Sequence, residues 1–195
     1  ELVAEVDLRG GDIVQLELRK HKDPNDKNKN FVLLTPEYRY FVQSGLIGGG
    51  LPNHKTIYTS AVKEVVMESD KDSVELRLEA PATEGVRVAK ILRFKRASHI
   101  IEISHEITNT SSAPLVIHGY FQITRDGKSP PGDNRMMSTY TGAAVYTEQD
   151  KYVKIGFSDI DKGKTPYSKS ADNGWVGMVQ HYFCLLYTSD AADDT

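Results

Sequence analysis

The segment Ile101-Glu102-Ile103-Ser104-His105-Glu106-Ile107-Thr108 decides the fold class, because every second residue in it is apolar except His105. A period of two puts successive side chains on opposite faces of an extended strand. The same alternation returns over 14–19, 74–79 and 115–123. No stretch keeps apolar residues at the helical i, i+3, i+4, i+7 spacing for three turns. The pattern therefore predicts antiparallel sheets with one face on a core and the other toward water.

Short turn signals separate these periodic segments. Glycine-rich and Asn/Ser-rich stretches, such as those at 9–11 and 109–112, favour tight turns. Many strands joined by short polar turns predict an all-β, mainly antiparallel sandwich. Two longer loops, over 45–53 and 125–135, are rich in glycine or proline. Either they line a cleft or a partner surface, or they are plain connectors.

The composition excludes several kinds of protein. The formal net charge is -3 at pH 7, and scattered Lys and Arg residues leave no basic patch of the kind that binds nucleic acid. A single cysteine, Cys184, excludes an internal disulfide and a Cys-rich zinc site. No stretch approaches the ~20 apolar residues of a membrane-spanning helix. We expect any membrane anchor to lie in segments absent from this chain.

Catalytic motifs are approached but not completed. His105-Glu106 resembles the start of a zinc-protease motif, yet a strand would place the two side chains on opposite faces. We expect His105 to be structural, with its ring nitrogens hydrogen-bonded. His118 is the strongest remaining catalytic candidate, but no partner can be assigned to it. The sequence therefore predicts no catalytic residue, no cofactor and no metal ligand.

Five stretches together resemble the periplasmic domain of the YidC-type membrane protein insertases. Their order and spacing over 7–183 carry the resemblance. They are Asp7-Leu8-Arg9-Gly10-Gly11-Asp12-Ile13-Val14, Tyr40-Phe41-Val42-Gln43-Ser44-Gly45-Leu46, the run from Arg93-Phe94-Lys95-Arg96 to Ile107-Thr108-Asn109-Thr110, Thr141-Gly142-Ala143-Ala144 with Lys151-Tyr152, and Gly174-Trp175-Val176-Gly177-Met178-Val179-Gln180-His181-Tyr182-Phe183.

The resemblance implies a large twisted sandwich, or supersandwich, similar to the galactose mutarotase-like fold. It places an incomplete periplasmic β-sandwich domain over 1–183, followed by a divergent, disordered tail over 184–195. It also implies a non-catalytic role on the periplasmic side of a bacterial inner membrane, where the intact protein assists membrane protein insertion and folding. The implied partners are accessory subunits of the Sec translocon and membrane-protein clients.

The partner contact falls over about 125–173 in this resemblance, and its candidate residues are Tyr140, Tyr146 and Tyr152. Tyrosine suits an interface because an apolar ring carries one polar group. The alternative is that these tyrosines only pack within the sandwich. Trp175 shares its strand parity with Gly177 and Val179, and we expect it to be structural.

Two other functions stay open at this point. Fold analogy suggests a carbohydrate-active, mutarotase-like enzyme, or a sugar- or peptide-binding sandwich module. Converging His and carboxylate side chains would favour the enzyme. A shallow groove lined by tyrosine and aliphatic side chains would favour binding.

Overall fold

The chain forms two compact units, Glu1–Thr124 and Arg125–Thr195. The structure, a computed structural model, describes residues 1–83, 85–129, 139–164, 166–180 and 182–188. No linker-like composition marks the boundary between the units in the sequence. Part of the loop predicted over 125–135 lies outside the described residues.

The first unit is built from two antiparallel sheets. One has the strand order β1-β2-β4-β8, with β3 also paired to β2, and the other has the order β5-β6-β7. The strands are β1 (Leu2–Asp7), β2 (Asp12–Lys22), β3 (Asn30–Leu34), β4 (Phe41–Ile47), β5 (Ser73–Glu79), β6 (Val86–Lys95), β7 (Ile101–Asn109) and β8 (His118–Thr124), with a 3-10 helix at Pro36–Tyr38.

The two sheets of the first unit face each other across an apolar core. Leu46 of β4 packs with Leu51 and with Val88 of β6, which joins one sheet to the other. The alternation in β5 follows the prediction: Leu78 is buried, while Glu75 and the other charged residues of the strand are exposed. Because each strand turns its apolar parity inward, the core forms without helices.

The second unit contains one four-stranded antiparallel sheet with the order β10-β9-β11-β12. Its elements are β9 (Thr141–Thr147), β10 (Lys151–Ile155), the short helix α1 (Phe157–Asp161), β11 (Gly174–Gln180) and β12 (Phe183–Thr188). Val145, Ile155 and Met178 are buried on one face of this sheet.

The predicted all-β class is confirmed, since strands dominate and every strand pairing is antiparallel in the described part of the chain. The likeness to the mutarotase fold stays a prediction. β8 begins at His118, so the first residues of the predicted 115–123 strand precede it. No helix of the described residues is long and apolar enough to cross a membrane.

The predicted boundary at residue 183 falls at the start of β12. This strand pairs with β11 from Phe183↔Gln180 to Thr188↔Trp175, so the first five residues of the predicted tail are in a sheet. The remainder of that tail lies outside the described residues. The division into a domain over 1–183 and a tail over 184–195 stays a prediction.

Candidate protein-binding surface

Three aromatic side chains lie next to one another on one face of the sheet in the second unit. The ladder aligns Tyr152 of β10 with Tyr146 of β9, and Tyr146 with Trp175 of β11. Residues directly opposite in neighbouring strands project from the same face, so the three rings form a row across the sheet. We call Tyr152, Tyr146 and Trp175 the aromatic row.

The rings of the aromatic row are in contact. Tyr146 and Trp175 stack with ring centroids 5.8 Å apart and an angle of 10° between their planes. Tyr152 lies 5.9 Å from Trp175 at 46°. Tyr152 is 47% exposed, and the other two rings are partly buried. Because each ring limits the freedom of the next, the row presents a pre-ordered aromatic surface to solvent.

Local chemistry fixes the register that aligns the row. In the turn from β9 to β10, the Asp150 N–H donates to Thr147 Oγ1 at 3.0 Å, and the Thr147 hydroxyl donates to Asp150 Oδ2 at 3.2 Å. The Ser168 N–H also donates to Asp150 Oδ2, at 2.5 Å, and the hydrogen bonds from Ser168 lower the pKa of that carboxyl. These contacts hold the turn that sets Tyr146 opposite Tyr152.

A glycine allows β11 to lie close to β9 beside the row. A Cβ on Gly174 would be 2.4 Å from the Tyr146 carbonyl oxygen, too close for any other residue without a shift. Gly174 also has a φ of 153°, which side-chain-bearing residues rarely adopt. The residue before Trp175 must therefore be glycine for β11 to lie this close to β9 beside the row.

Tyr140, the third predicted contact residue, is held differently. The single proton of its hydroxyl is shared between the Ala143 carbonyl at 2.6 Å and the Ile155 carbonyl at 3.0 Å. The Lys154 ammonium lies 4.9 Å from the centre of its ring. Burial raises the pKa of the Tyr140 hydroxyl, so it stays a neutral donor. These contacts hold Tyr140 against the backbone of β9 and β10, and its part in partner binding stays a prediction.

The structure thus brings two of the three predicted tyrosines together and adds Trp175, which the sequence assigned to a purely structural role. Trp175 is neither fully buried nor fully exposed, and it lies in ring contact with both tyrosines. Its parity within β11 was visible in the sequence. Its position beside Tyr146 was not, because that depends on pairing between strands far apart in the chain.

A cavity of about 240 Å³ opens in the first unit, beside the loop predicted over 45–53. Leu51 and Pro52 of that loop face Val86 and Val88 of β6, with Thr83 and Ser111 nearby. None of the described lining residues carries an acid or a base. The first part of the predicted loop, through Ile47, belongs to β4. These lining residues supply no general acid or base for proton transfer.

The histidines do not converge with a carboxylate on an open cavity in the described part of the chain. The ring of His54 meets the Tyr120 hydroxyl, with Nδ1 and Oη 2.6 Å apart. Asp12 is only 6% exposed, and its carboxylate accepts a hydrogen bond from the Gln43 amide at 2.6 Å. His118 is exposed at the start of β8. This arrangement does not favour the mutarotase-like alternative.

His105 and Glu106 point to opposite faces of β7, as the strand assignment predicts. The Glu106 carboxylate pairs with Arg77 at 2.5 Å on the exposed face, whereas the His105 ring is turned inward. The expectation that both ring nitrogens of His105 are hydrogen-bonded is wrong. Its Nε2 is buried without a hydrogen-bond partner among the described residues. Lys90, the residue opposite it in the ladder, donates to the Gly10 and Ser44 carbonyls instead.

The fold and the surface together define an all-β domain that carries a pre-ordered aromatic binding surface. Among the described residues, no group of three or more His, Cys, Asp or Glu side chains could hold a metal ion. Aromatic side chains of this kind are enriched where proteins bind one another. The class that the fold and this surface define is an all-β domain with a partly exposed row of aromatic side chains.

Comparison with known proteins gives the family. The family model for the YidC periplasmic domain matches residues 1–189, and the chain belongs to this family. The chain is 47% identical over 188 residues to the membrane protein insertase YidC of Nitrosospira multiformis, covering 95% of this chain and 33% of that protein. The proteins of the same name in Nitrosomonas eutropha and Dechloromonas aromatica are 46% and 43% identical, over 96% and 93% of this chain and 31% and 33% of their own. The chain spans about a third of the length of the curated relatives it matches.

Proposed function

We propose that this chain is the periplasmic, non-catalytic domain of an inner-membrane insertase, and that its aromatic row docks a partner protein during membrane protein insertion. The row is the observation that carries the proposal, since three contacting rings remain open to solvent on one sheet face. Membership of the YidC periplasmic domain family supports the location. The anchor to the membrane would lie in parts of the longer protein outside this chain.

The partner we propose is an accessory subunit of the Sec translocon, with membrane-protein clients handled by the intact insertase. Tyr146 and Tyr152 lie within the 125–173 segment that the resemblance assigns to this contact. Large rings that are already ordered lose little conformational entropy on binding. An aromatic residue at the centre of an interface often accounts for a large part of the binding free energy.

The test measures binding of the purified accessory subunit to the insertase carrying Tyr152→Ala or Trp175→Ala. We expect each substitution to weaken binding at least about tenfold, in line with hot-spot aromatic residues. The matched control is Tyr182→Ala, because Tyr182 is 83% exposed and lies outside the row. Circular dichroism confirms that each variant is folded. Unchanged affinity in both row variants would contradict the proposed docking site.

The chain offers its own reporter for this contact. Trp175 is the single tryptophan of the sequence, so its fluorescence reports directly on the aromatic row. A partner that covers the row should protect the indole from acrylamide quenching, once the emission of the partner is subtracted. Quenching that stays unchanged at saturating partner would place the contact elsewhere.

The non-catalytic part of the proposal has a separate test. A sugar-epimerisation assay on the complete domain should give no turnover above the uncatalysed rate. Robust turnover would contradict the proposal, and loss of that turnover in His118→Ala would then assign a catalytic role to this histidine.

A further inference from the structure

Lys90 lies in the interior of the first unit, at the middle of β6, and only 1% of it is exposed. Its ammonium donates to the Gly10 carbonyl at 2.7 Å and to the Ser44 carbonyl at 3.2 Å. Gly10 precedes β2 and Ser44 belongs to β4, so this one side chain joins the β5-β6-β7 sheet to the other sheet. A buried cation in such a position is uncommon and must be compensated.

The groups that face Lys90 from the neighbouring elements compensate its charge only in part. Asp12 of β2 attracts it, although burial raises the pKa of that carboxyl, which also lies near His54 and Asp7. The ring of Tyr58 is centred 6.0 Å from the ammonium, and burial raises the pKa of the Tyr58 hydroxyl to about 12. Burial lowers the pKa of Lys90 itself to about 8.

His105 is the cross-strand partner of Lys90. The β6–β7 ladder sets the two residues directly opposite, so both side chains project from the same face. The Nε2 atom of His105 is buried and has no hydrogen-bond partner among the described residues. Burial, and then the positive charge of Lys90, lower the pKa of His105 to about 4. The ring is therefore neutral at neutral pH.

We propose that Lys90 and His105 form an acid-sensitive lock between the two sheets of the first unit. When His105 is neutral, the two sheets pack together around the Lys90 ammonium. A proton on His105, which is partly buried, places a second cation beside the fully buried Lys90 ammonium, where like charges repel more strongly than in water. The β6–β7 pair then loosens from β2 and β4. The lock lies outside the aromatic row and is independent of the proposed docking function.

The direction of the effect follows from proton binding. In the unfolded chain a histidine binds its proton near pH 6.5, whereas folded His105 does so only near pH 4. Between these values the unfolded state binds more protons, so stability falls as the pH falls. The equilibrium constant for unfolding should therefore rise roughly 100-fold from this residue between pH 7 and pH 4.

The first test compares urea unfolding of the chain at pH 7, 6, 5 and 4 for the wild type, His105→Gln and His118→Gln. We expect His105→Gln to remove roughly 100-fold of the acid dependence. The control His118→Gln changes an exposed histidine of the same unit and should follow the wild type. Parallel profiles for the wild type and His105→Gln would overturn the proposal.

The second test needs only the folded wild type and Lys90→Met. In an NMR titration, the ring of wild-type His105 should stay neutral to below about pH 5, and amide exchange in β6 and β7 should accelerate as it protonates. In Lys90→Met, His105 should titrate at a higher pH because the neighbouring cation is gone. A His105 ring that titrates near pH 6.5 in the wild type, or at the same pH in both proteins, would refute the paired lock.

Discussion

Replacing Lys90 by methionine should change how the stability of the domain depends on alkaline pH. In the wild type, burial lowers the pKa of Lys90 from 10.5 to about 8. Between these values the unfolded chain holds a proton that the folded chain has released. The free energy of unfolding therefore rises with pH across this window, by about 3 kcal/mol when fully developed. Methionine cannot titrate, so this rise should be absent from the variant.

At neutral pH the same substitution should have a small net effect. Methionine removes the cost of burying an ammonium, again about 3 kcal/mol, while its flexible side chain fills a similar space. It also leaves the carbonyls of Gly10 and Ser44 without their donor, at about 1–3 kcal/mol each if no water replaces it. The two effects are of similar size and opposite sign. The change in the free energy of unfolding with pH is therefore more informative than its value at any one pH.

The assay is urea unfolding followed by circular dichroism from about pH 7 to pH 10, below the range in which Tyr58 titrates. The matched control is Lys55→Met, because Lys55 is exposed in the same unit. Wild type and control should gain stability together as the pH rises, and Lys90→Met should not. A Lys90→Met profile parallel to the wild type would refute the claim that this ammonium is buried at a free-energy cost.

Three further substitutions test separate contacts. Gly11→Ala should destabilise the first unit by about 1–3 kcal/mol in urea unfolding. The reason is that φ is +62° and a Cβ would lie 2.8 Å from Leu78 Cδ1 and 2.9 Å from Lys90 Cδ. Unchanged stability would contradict this prediction. Tyr140→Phe removes the hydroxyl that bonds the Ala143 and Ile155 carbonyls and should cost about 1 kcal/mol by thermal unfolding, with no loss of partner binding if its role is supporting. Arg77→Ala breaks two exposed ion pairs, with Glu79 and Glu106, and should leave the urea midpoint unchanged within error. A large shift would show that these surface ion pairs contribute to stability.

The sequence was sufficient to predict the all-β fold class and to predict which side chains share a face of an individual strand. The alternation over Ile101–Asn109 placed His105 and Glu106 on opposite sides, and the structure has them so. It also carried a signal about Lys90 that is clear only once the strand is known. Val86, Val88, Lys90 and Leu92 share one parity of β6, so the lysine stands where an apolar residue is expected. A period of two is a local property of an extended backbone, which is why it can be read directly.

Tertiary structure decided which strands become neighbours, and with that the composition of the site. Trp175 meets Tyr146 only because β11 pairs with β9 across a long stretch of chain, and Tyr140 is separated from the row by hydrogen bonds to the backbone around it. The burial of Lys90 likewise depends on the carbonyls of Gly10, just before β2, and of Ser44, in β4, accepting its hydrogen bonds. Such pairings are selected by the free energy of packing distant segments together. No local pattern of residues contains that information, because each segment would alternate in the same way beside a different neighbour.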